Sequence, residues 1–199
     1  MDYRDPHARL HPFEPEQVPG DWERTVIRAL ATDDTRIKAV IDDLNASLVN
    51  GGTQFARFSV EAAPTVEWLI SRNRWTEFEL FERFFRHPEV LRALPELGNP
   101  NAGIAGFTME SSFSGLGALA SFISGGGAYE RHRGTDETAL ALTTDFFRAL
   151  CDMRLSETFT WVNWKPWTDW FFDVAWDGTF FWFDTRTGVV TVLLMTDTD

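Results

Sequence analysis

A run of strand-like segments near the C-terminus constrains the fold of this chain more than any other feature. WFFDVAW at 170–176 alternates large apolar side chains on one face with Asp173 on the other. The pair Asp177-Gly178, favoured in type I′ turns, follows at once, and TRTG then separates TFFWFDT from VVTVLLM. The pattern predicts a three-strand antiparallel meander, and FTWVNW at 159–164 predicts a further strand.

Helical periodicity dominates the chain before this region. Apolar spacing predicts helices that begin at Asp21, near residues 32–34 and after Pro64, and Thr135 is predicted to cap a helix that runs to residue 152. TQFARFSVE, residues 53–61, is predicted as a strand. Residues 95–117, which are rich in Gly, Asn and Ser, are predicted to form a long irregular loop.

These patterns predict one α+β domain over residues 21–199. Helices, expected over most of residues 21–153, pack on a C-terminal antiparallel meander at residues 157–196. Residues 1–20 are predicted to form an extended arm, because they contain four prolines, Pro6, Pro12, Pro15 and Pro19.

Charge and composition exclude several classes of partner. The 199 residues carry a formal net charge of -12 with a pI near 4.7, which disfavours a nucleic-acid groove or an anionic membrane surface. A single cysteine excludes a disulfide framework, and no signal sequence or membrane span is recognised, so we expect a cytoplasmic protein. No cofactor and no metal site are predicted.

The tryptophans are concentrated where the predicted sheet lies. Six of the nine fall within residues 161–182, and Trp161, Trp164 and Trp167 recur every third residue. Because Pro166 prevents a regular helix, we expect one or two of them near the surface, where tryptophan stacks on sugars or anchors protein interfaces. The alternative is that they form core beneath the helices.

Four aspartates accompany these tryptophans as candidate binding residues. Asp169, Asp173 and Asp177 recur every four residues, which on a strand places them on one face. Neighbours would then lie about 13 Å apart, too far to share one ion. Asp184 on a neighbouring strand is a partner that shortens some of these distances. The simpler interpretation is that these aspartates are solvated side chains on the surface and that Asp177 is part of the predicted Asp177-Gly178 turn.

Candidate nucleophiles and bases lack the contexts that catalysis needs. Cys151 ends a helix beside Asp152, which predicts an inert buried thiol because catalytic cysteines favour helix N-termini or basic neighbours. His87 is predicted to cap a helix end, and His132 to lie in a surface turn. The remaining pair, His7 and His11, is predicted to lie on the solvated arm. No catalytic residue is predicted.

Four motifs in the C-terminal half resemble those of a group of acidic bacterial proteins of similar length. They are GGAY at 126–129, FFRAL at 146–150, WTDWFFDVAWD at 167–177 and the terminal TDTD at 196–199. The resemblance implies no activity, because none is assigned to the group.

The function that these features favour is that of a small acidic intracellular binding protein, an inhibitor of the immunity or antitoxin kind. Its partner would be a basic protein, a toxin or effector, because residues 155–199 carry seven acidic and two basic side chains. The alternative is a small-ligand binder or hydrolase-type enzyme with a Trp- and Asp-lined pocket under the glycine-rich loop 98–117. A self-assembling structural protein is a third hypothesis, and nothing in the sequence indicates an oligomeric state.

Overall fold

The computed structural model of the chain describes residues 14–199. Among these residues the α-helices are α1 (Val18–Arg24), α2 (Thr35–Ser47), α3 (Pro64–Ser71), α4 (Leu80–Phe85), α5 (Pro88–Ala93), α6 (Ser112–Gly125) and α7 (Asp136–Cys151). The strands are β1 (Val26–Leu30), β2 (Gly52–Glu61), β3 (Thr108–Glu110), β4 (Thr158–Asn163), β5 (Gly178–Asp184) and β6 (Val189–Thr196).

The strands form one six-stranded antiparallel sheet in the order β1-β2-β6-β5-β4-β3. Its centre is a C-terminal meander, β4-β5-β6, in which β5 and β6 are the predicted strands TFFWFDT and VVTVLLM and β4 is the further predicted strand FTWVNW. The predicted α+β class is confirmed. TRTG is the turn between β5 and β6, with Asp184 opposite Val189 and Gly188 at a φ of 68°. A left-handed φ of this kind favours glycine, which explains the residue at that position.

Helices cover both faces of the sheet, so the strands β5 and β6 are buried on both sides. On one face α1, α3, α4 and α5 pack over Phe181, Phe183 and Val192. On the other face α2, α6 and α7 pack over Phe180 and Trp182. Burial on both faces explains why TFFWFDT and VVTVLLM are almost continuously apolar rather than alternating.

Capping side chains fix the ends of several helices. Asp34 accepts the backbone N–H of Arg36 at the start of α2, and His87 accepts that of Glu89 at the start of α5. At α7, the Thr135 and Thr138 side chains each accept the other's backbone N–H. The predicted capping by His87 and Thr135 is therefore confirmed, and threonine here takes the place that glutamate holds in the usual box.

Two secondary-structure predictions are wrong. Residues 26–30 are predicted as helix but form the edge strand β1, in which only Ile27 is buried. Residues 170–176 are predicted as a strand but form irregular turns, so Asp177-Gly178 is not a hairpin turn and FTWVNW takes the place of that strand beside β5. The predicted helical region 21–153 thus contains β1 and β3 as well as the predicted strand β2.

The predicted loop and arm differ from the structure in part. Residues 95–117 contain a 3-10 turn (Ala102–Gly106), β3 and the first residues of α6. Residues 1–13 of the predicted arm, with His7 and His11, lie outside the described residues. From Pro15 the chain is helical, because Pro15 and Pro19 occupy first-turn positions where no N–H is required.

Candidate functional site

The segment between β4 and β5, residues 164–177, is named here the β4–β5 loop. Its organising group is Asp177, which is buried at the base of the loop. The carboxylate accepts the Thr196 hydroxyl at 2.6 Å and the backbone N–H groups of Val174 at 3.1 Å and Phe172 at 3.4 Å. One buried carboxylate therefore ties the outer turn of the loop to the end of β6.

Two tryptophans hold the rest of this loop against the domain. The Trp167 ring is fully buried 4.5 Å from the Phe85 ring, and its indole N–H donates to the Thr179 hydroxyl at 2.8 Å. The half-buried Trp170 donates its indole N–H to Glu96 at 3.1 Å. These contacts give an irregular segment a defined conformation.

The outer surface of the β4–β5 loop combines aromatic and acidic side chains. Phe172 is 51% exposed and Trp164 is 45% exposed. Asp169 and Asp173 are exposed carboxylates on the same loop. The loop also carries the exposed cation Lys165, next to Trp164. Exposed aromatic anchors on a preorganised backbone, with charged groups around them, are typical of protein recognition surfaces.

Asp173 has a left-handed backbone, with a φ of 61°. Residues other than glycine adopt this conformation uncommonly, and aspartate is among those that tolerate it best. Sparsely populated backbone conformations cluster at functional sites, where surrounding contacts hold them. Here the hydrogen bonds of Asp177 to the residues on either side, Phe172 and Val174, supply those contacts.

Trp164 lies at the start of the β4–β5 loop and is supported from below. Its ring packs edge-to-face on Phe180 at 5.4 Å between centroids and parallel to Phe122 at 6.3 Å. The Trp164 indole is therefore partly exposed while Phe180 and Phe122 fix its orientation. A side chain whose orientation is already fixed loses little entropy on binding.

The predicted site residues differ in exposure. Trp164, Asp169 and Asp173 lie on the outer surface of the loop. Asp177 is buried beneath it as its anchor, and Trp167 is core. Two further predicted residues point elsewhere: Trp161 is buried on β4 and donates to Asn73 at 2.8 Å, and Asp184 is buried and paired with Arg154 at 2.7 Å.

Phe172 is a surface residue that the sequence pattern does not predict. The alternation predicts a strand that places Phe172 on the same face as Trp170, and no local pattern distinguishes the two aromatics. The signal that separates them is the buried acceptor Asp177, which captures the Phe172 backbone N–H from five residues away. Such a contact depends on the fold and has no sequence signature.

A second feature lies under the glycine-rich loop, where the pocket of the alternative hypothesis was predicted. A cavity of about 210 Å³ lies between α4 and the Ala102–Gly106 turn. Its lining contains Trp75, with glutamates in place of the predicted aspartates. The predicted combination of sheet tryptophans and aspartates therefore does not form this pocket.

His132 forms a chain of polar contacts that includes a carboxylate and a hydroxyl. Its Nδ1 lies 3.0 Å from both carboxylate oxygens of Asp43, and its Nε2 lies 3.0 Å from the Thr138 hydroxyl. That hydroxyl also closes the capping box of α7 with Thr135. These contacts thus join α2 to the start of α7. His132 is predicted to lie in a surface turn, but only 8% of its side chain is exposed.

Within residues 14–199, no group of three or more His, Cys, Asp or Glu side chains is arranged to hold a metal ion. No helix in this described part of the chain is long and apolar enough to cross a membrane. Comparison with protein families, with curated proteins and with solved structures found no match to this chain.

Proposed function

We propose that this chain is an acidic intracellular binding protein of the immunity or antitoxin kind, which captures a basic protein partner through the β4–β5 loop. The observation that carries the proposal is the anchoring of this loop by Asp177, with Phe172 and Asp173 held outward. A binding role needs a surface that is rigid before the partner arrives, because ordering a flexible loop reduces affinity.

The chemistry of the loop favours a basic partner. The loop carries two exposed carboxylates, Asp169 and Asp173, against one exposed cation, Lys165, and it also carries the exposed rings of Trp164 and Phe172. Lysine and arginine side chains bind both groups, since a carboxylate forms ion pairs and an aromatic face attracts a cation. The net charge of -12 adds long-range attraction, which raises the association rate of an oppositely charged partner.

The proposal is tested by affinity capture from the cells that make this protein. The wild-type chain and the double variant Phe172→Ala, Asp173→Asn serve as parallel baits. We expect the wild-type bait to retain one protein with a basic isoelectric point, and the double variant to retain less than about a tenth of it, since hot-spot truncation costs at least about 2 kcal/mol.

The matched control is the double variant Phe113→Ala, Asp42→Asn. Phe113 is 69% exposed in the first turn of α6, and Asp42 is exposed on α2, so both changes remove the same groups from residues outside the loop. This control bait should retain the partner as wild type does. Equal retention by the loop variant, or capture of an acidic protein only, would contradict the proposal.

A further inference from the structure

Among the described α-helices, α6 alone contains no charged residue. Its sequence is SFSGLGALASFISG, and five of its residues are exposed on one face: Phe113, Ser114, Gly117, Ser121 and Gly125. The neighbouring helix α7, by contrast, exposes Glu137 and Arg148. Because surface helices ordinarily carry charged side chains on the face in contact with water, the exposed face of α6 has the composition of a contact surface.

Gly117, near the middle of this face, leaves room for another backbone to approach from outside. Glycine within a helix is destabilising relative to alanine. Gly115 is explained by the fold, because a Cβ there would lie 2.7 Å from a side-chain carbon of Thr160. At Gly117 no described atom beyond the helix's own turns lies within 4 Å of the Cβ position. The described part of the chain therefore gives no packing reason for a glycine here.

An open groove of about 750 Å³ lies between this face of α6 and the first turns of α7. The residues that α6 contributes to it are all small: Gly117, Ala120, Ser121, Ser124 and Gly125. Leu140 of α7 is 49% exposed and lines the groove as well. The two charged lining residues, Arg131 and Asp136, have opposite signs. The groove is thus shallow, uncharged over most of its length and apolar along its α7 side.

Phe113 projects from the same face of α6 and is 69% exposed, the largest fraction among the large hydrophobic side chains in residues 14–199. It is not part of the groove lining. Eight residues separate it from Ser121, which corresponds to about 12 Å along the helix axis. Since a cavity of about 150 Å³ holds a benzene ring, the groove has room for a phenyl side chain. One face of one helix therefore carries both a projecting ring and a groove that accommodates such a ring.

We propose that this face of α6 is the contact surface of a homodimer, in which two copies of α6 pack antiparallel about a two-fold axis beside Gly117. Phe113 and Ser121 are each four residues from Gly117. This register therefore places Phe113 of each copy opposite Ser121 of the other, in the groove beside Leu140. The two Gly117 backbones meet where the helices cross. The contact is isologous, because the same residues are used by both copies.

Charge identifies a second copy as the occupant of the groove. Each chain has a formal net charge of -12, so most surfaces of one copy repel another copy. The uncharged face of α6 is a place where two copies meet without bringing carboxylates together. A basic protein would gain no ion pair from α6 itself. The proposal does not rest on the partner surface described above, because its residues lie outside the β4–β5 loop.

The extent of the contact sets the expected affinity. The two helices overlap from residue 112 to residue 122, which is about 16 Å of helix. A contact of this length is smaller than the roughly 800 Å² per partner of a standard stable interface. We therefore expect a reversible dimer with a dissociation constant of roughly 10 to 500 µM.

Sedimentation equilibrium between about 10 µM and 1 mM, a range that brackets this affinity, tests the proposal. The average mass should rise from the 22.7 kDa of one chain towards twice that value. Raising the NaCl concentration from about 20 to 500 mM should tighten the dimer about 2- to 10-fold, because salt screens the repulsion between two acidic chains. Circular dichroism checks that each variant is folded.

Two substitutions on the contact face should weaken the dimer at least about 10-fold. Ser121→Asp places a carboxylate opposite Phe113 of the other copy, and Gly117→Leu keeps the helices apart where they cross. Leucine favours helix over glycine, so loss of the dimer in Gly117→Leu does not reflect unfolding of α6. The control Thr187→Asp adds the same charge at an exposed position of the turn between β5 and β6. Its dissociation constant should stay within about 2-fold of wild type.

A single-chain mass at every concentration would overturn the homodimer, and it is the result expected if another segment or another protein covers the groove. A dimer that persists unchanged in Ser121→Asp and Gly117→Leu would overturn the assignment to α6. Weakening by salt would show that ion pairs hold the copies together and would overturn the uncharged contact.

Discussion

Asp197, close to the C-terminal end, accepts the backbone N–H of Ala128 at 2.8 Å. Its other carboxylate oxygen accepts the backbone N–H of Asn50, also at 2.8 Å, and the side chain is completely buried. The carboxylate thus joins the end of β6 to the segment after α6 and to the turn after α2. Two of the short motifs, GGAY and TDTD, meet at this contact.

Replacement of this carboxylate tests its contribution to stability. In Asp197→Asn one acceptor oxygen becomes an NH₂ group, so one of the two backbone N–H groups loses its partner. We expect the free energy of unfolding to fall by about 1.5–3 kcal/mol, the range for hydrogen bonds to charged groups. Urea denaturation followed by circular dichroism measures it, and the exposed Asp199→Asn is the control. Equal stability of the two variants would contradict this role.

Gly127 lies where no side chain fits beside the same contact. A Cβ atom at this position would overlap the Ser47 carbonyl oxygen and the Asp197 carboxylate. Gly127→Ala is therefore expected to destabilise the protein by about 1–3 kcal/mol. Thermal unfolding measures the change.

Gly117, on α6, is the matched position with open space around it. Gly117→Ala adds the same methyl group within a helix and should stabilise the protein by about 0.5–1 kcal/mol, because alanine restricts the unfolded chain and favours helix. Destabilisation of similar size by both substitutions would show that the close approach at Gly127 is not the cause.

Parts of the fold with local causes were predictable from sequence. The turn at Gly188 and the cap at Thr135 depend on residues within four positions of each other, so their patterns are complete in a short window. The prediction of a helix over β1 is wrong because the conformation there depends on a distant segment. Trp22, Val26 and Leu30 have helical spacing, but pairing of β1 with β2 decides the conformation, and this partner lies about thirty residues away.

The candidate site was predictable in location but not in geometry. Tryptophans and aspartates between 161 and 184 indicated the region, and Trp164, Asp169 and Asp173 are exposed there. The alternation of large side chains at 170–176 predicts a strand, but no strand forms there. Trp170 and Phe172 are instead held by separate contacts with other parts of the fold. Trp170 is held by Glu96, whereas Phe172 is held outward through its backbone.

The anchor of the β4–β5 loop gives a separate prediction. Asp177→Asn replaces the oxygen that receives the Val174 N–H or the one shared by Phe172 and Thr196. We expect amide hydrogen exchange to accelerate about tenfold at whichever of Phe172 and Val174 loses its acceptor, which corresponds to about 1.4 kcal/mol. The exposed Asp173→Asn should leave the exchange of Val174 nearly unchanged. Identical exchange in wild type and Asp177→Asn would mean that the loop does not depend on this carboxylate.

Cys151 is expected to be chemically silent in the folded protein. Burial raises the pKa of its thiol, which donates to the Phe147 carbonyl oxygen at 3.3 Å. Because the thiolate is the reactive form, Ellman's reagent should label the native protein far more slowly than the protein in urea. Rapid stoichiometric labelling under native conditions would contradict the burial of this thiol.

The proposed partner surface is tested most directly by amide hydrogen exchange of this chain with and without the basic protein that it captures. We expect exchange to slow on binding within residues 164–176, most strongly around Phe172 and Asp173. Protection confined to another surface, such as α6 and α7, with unchanged exchange in the β4–β5 loop, would contradict it.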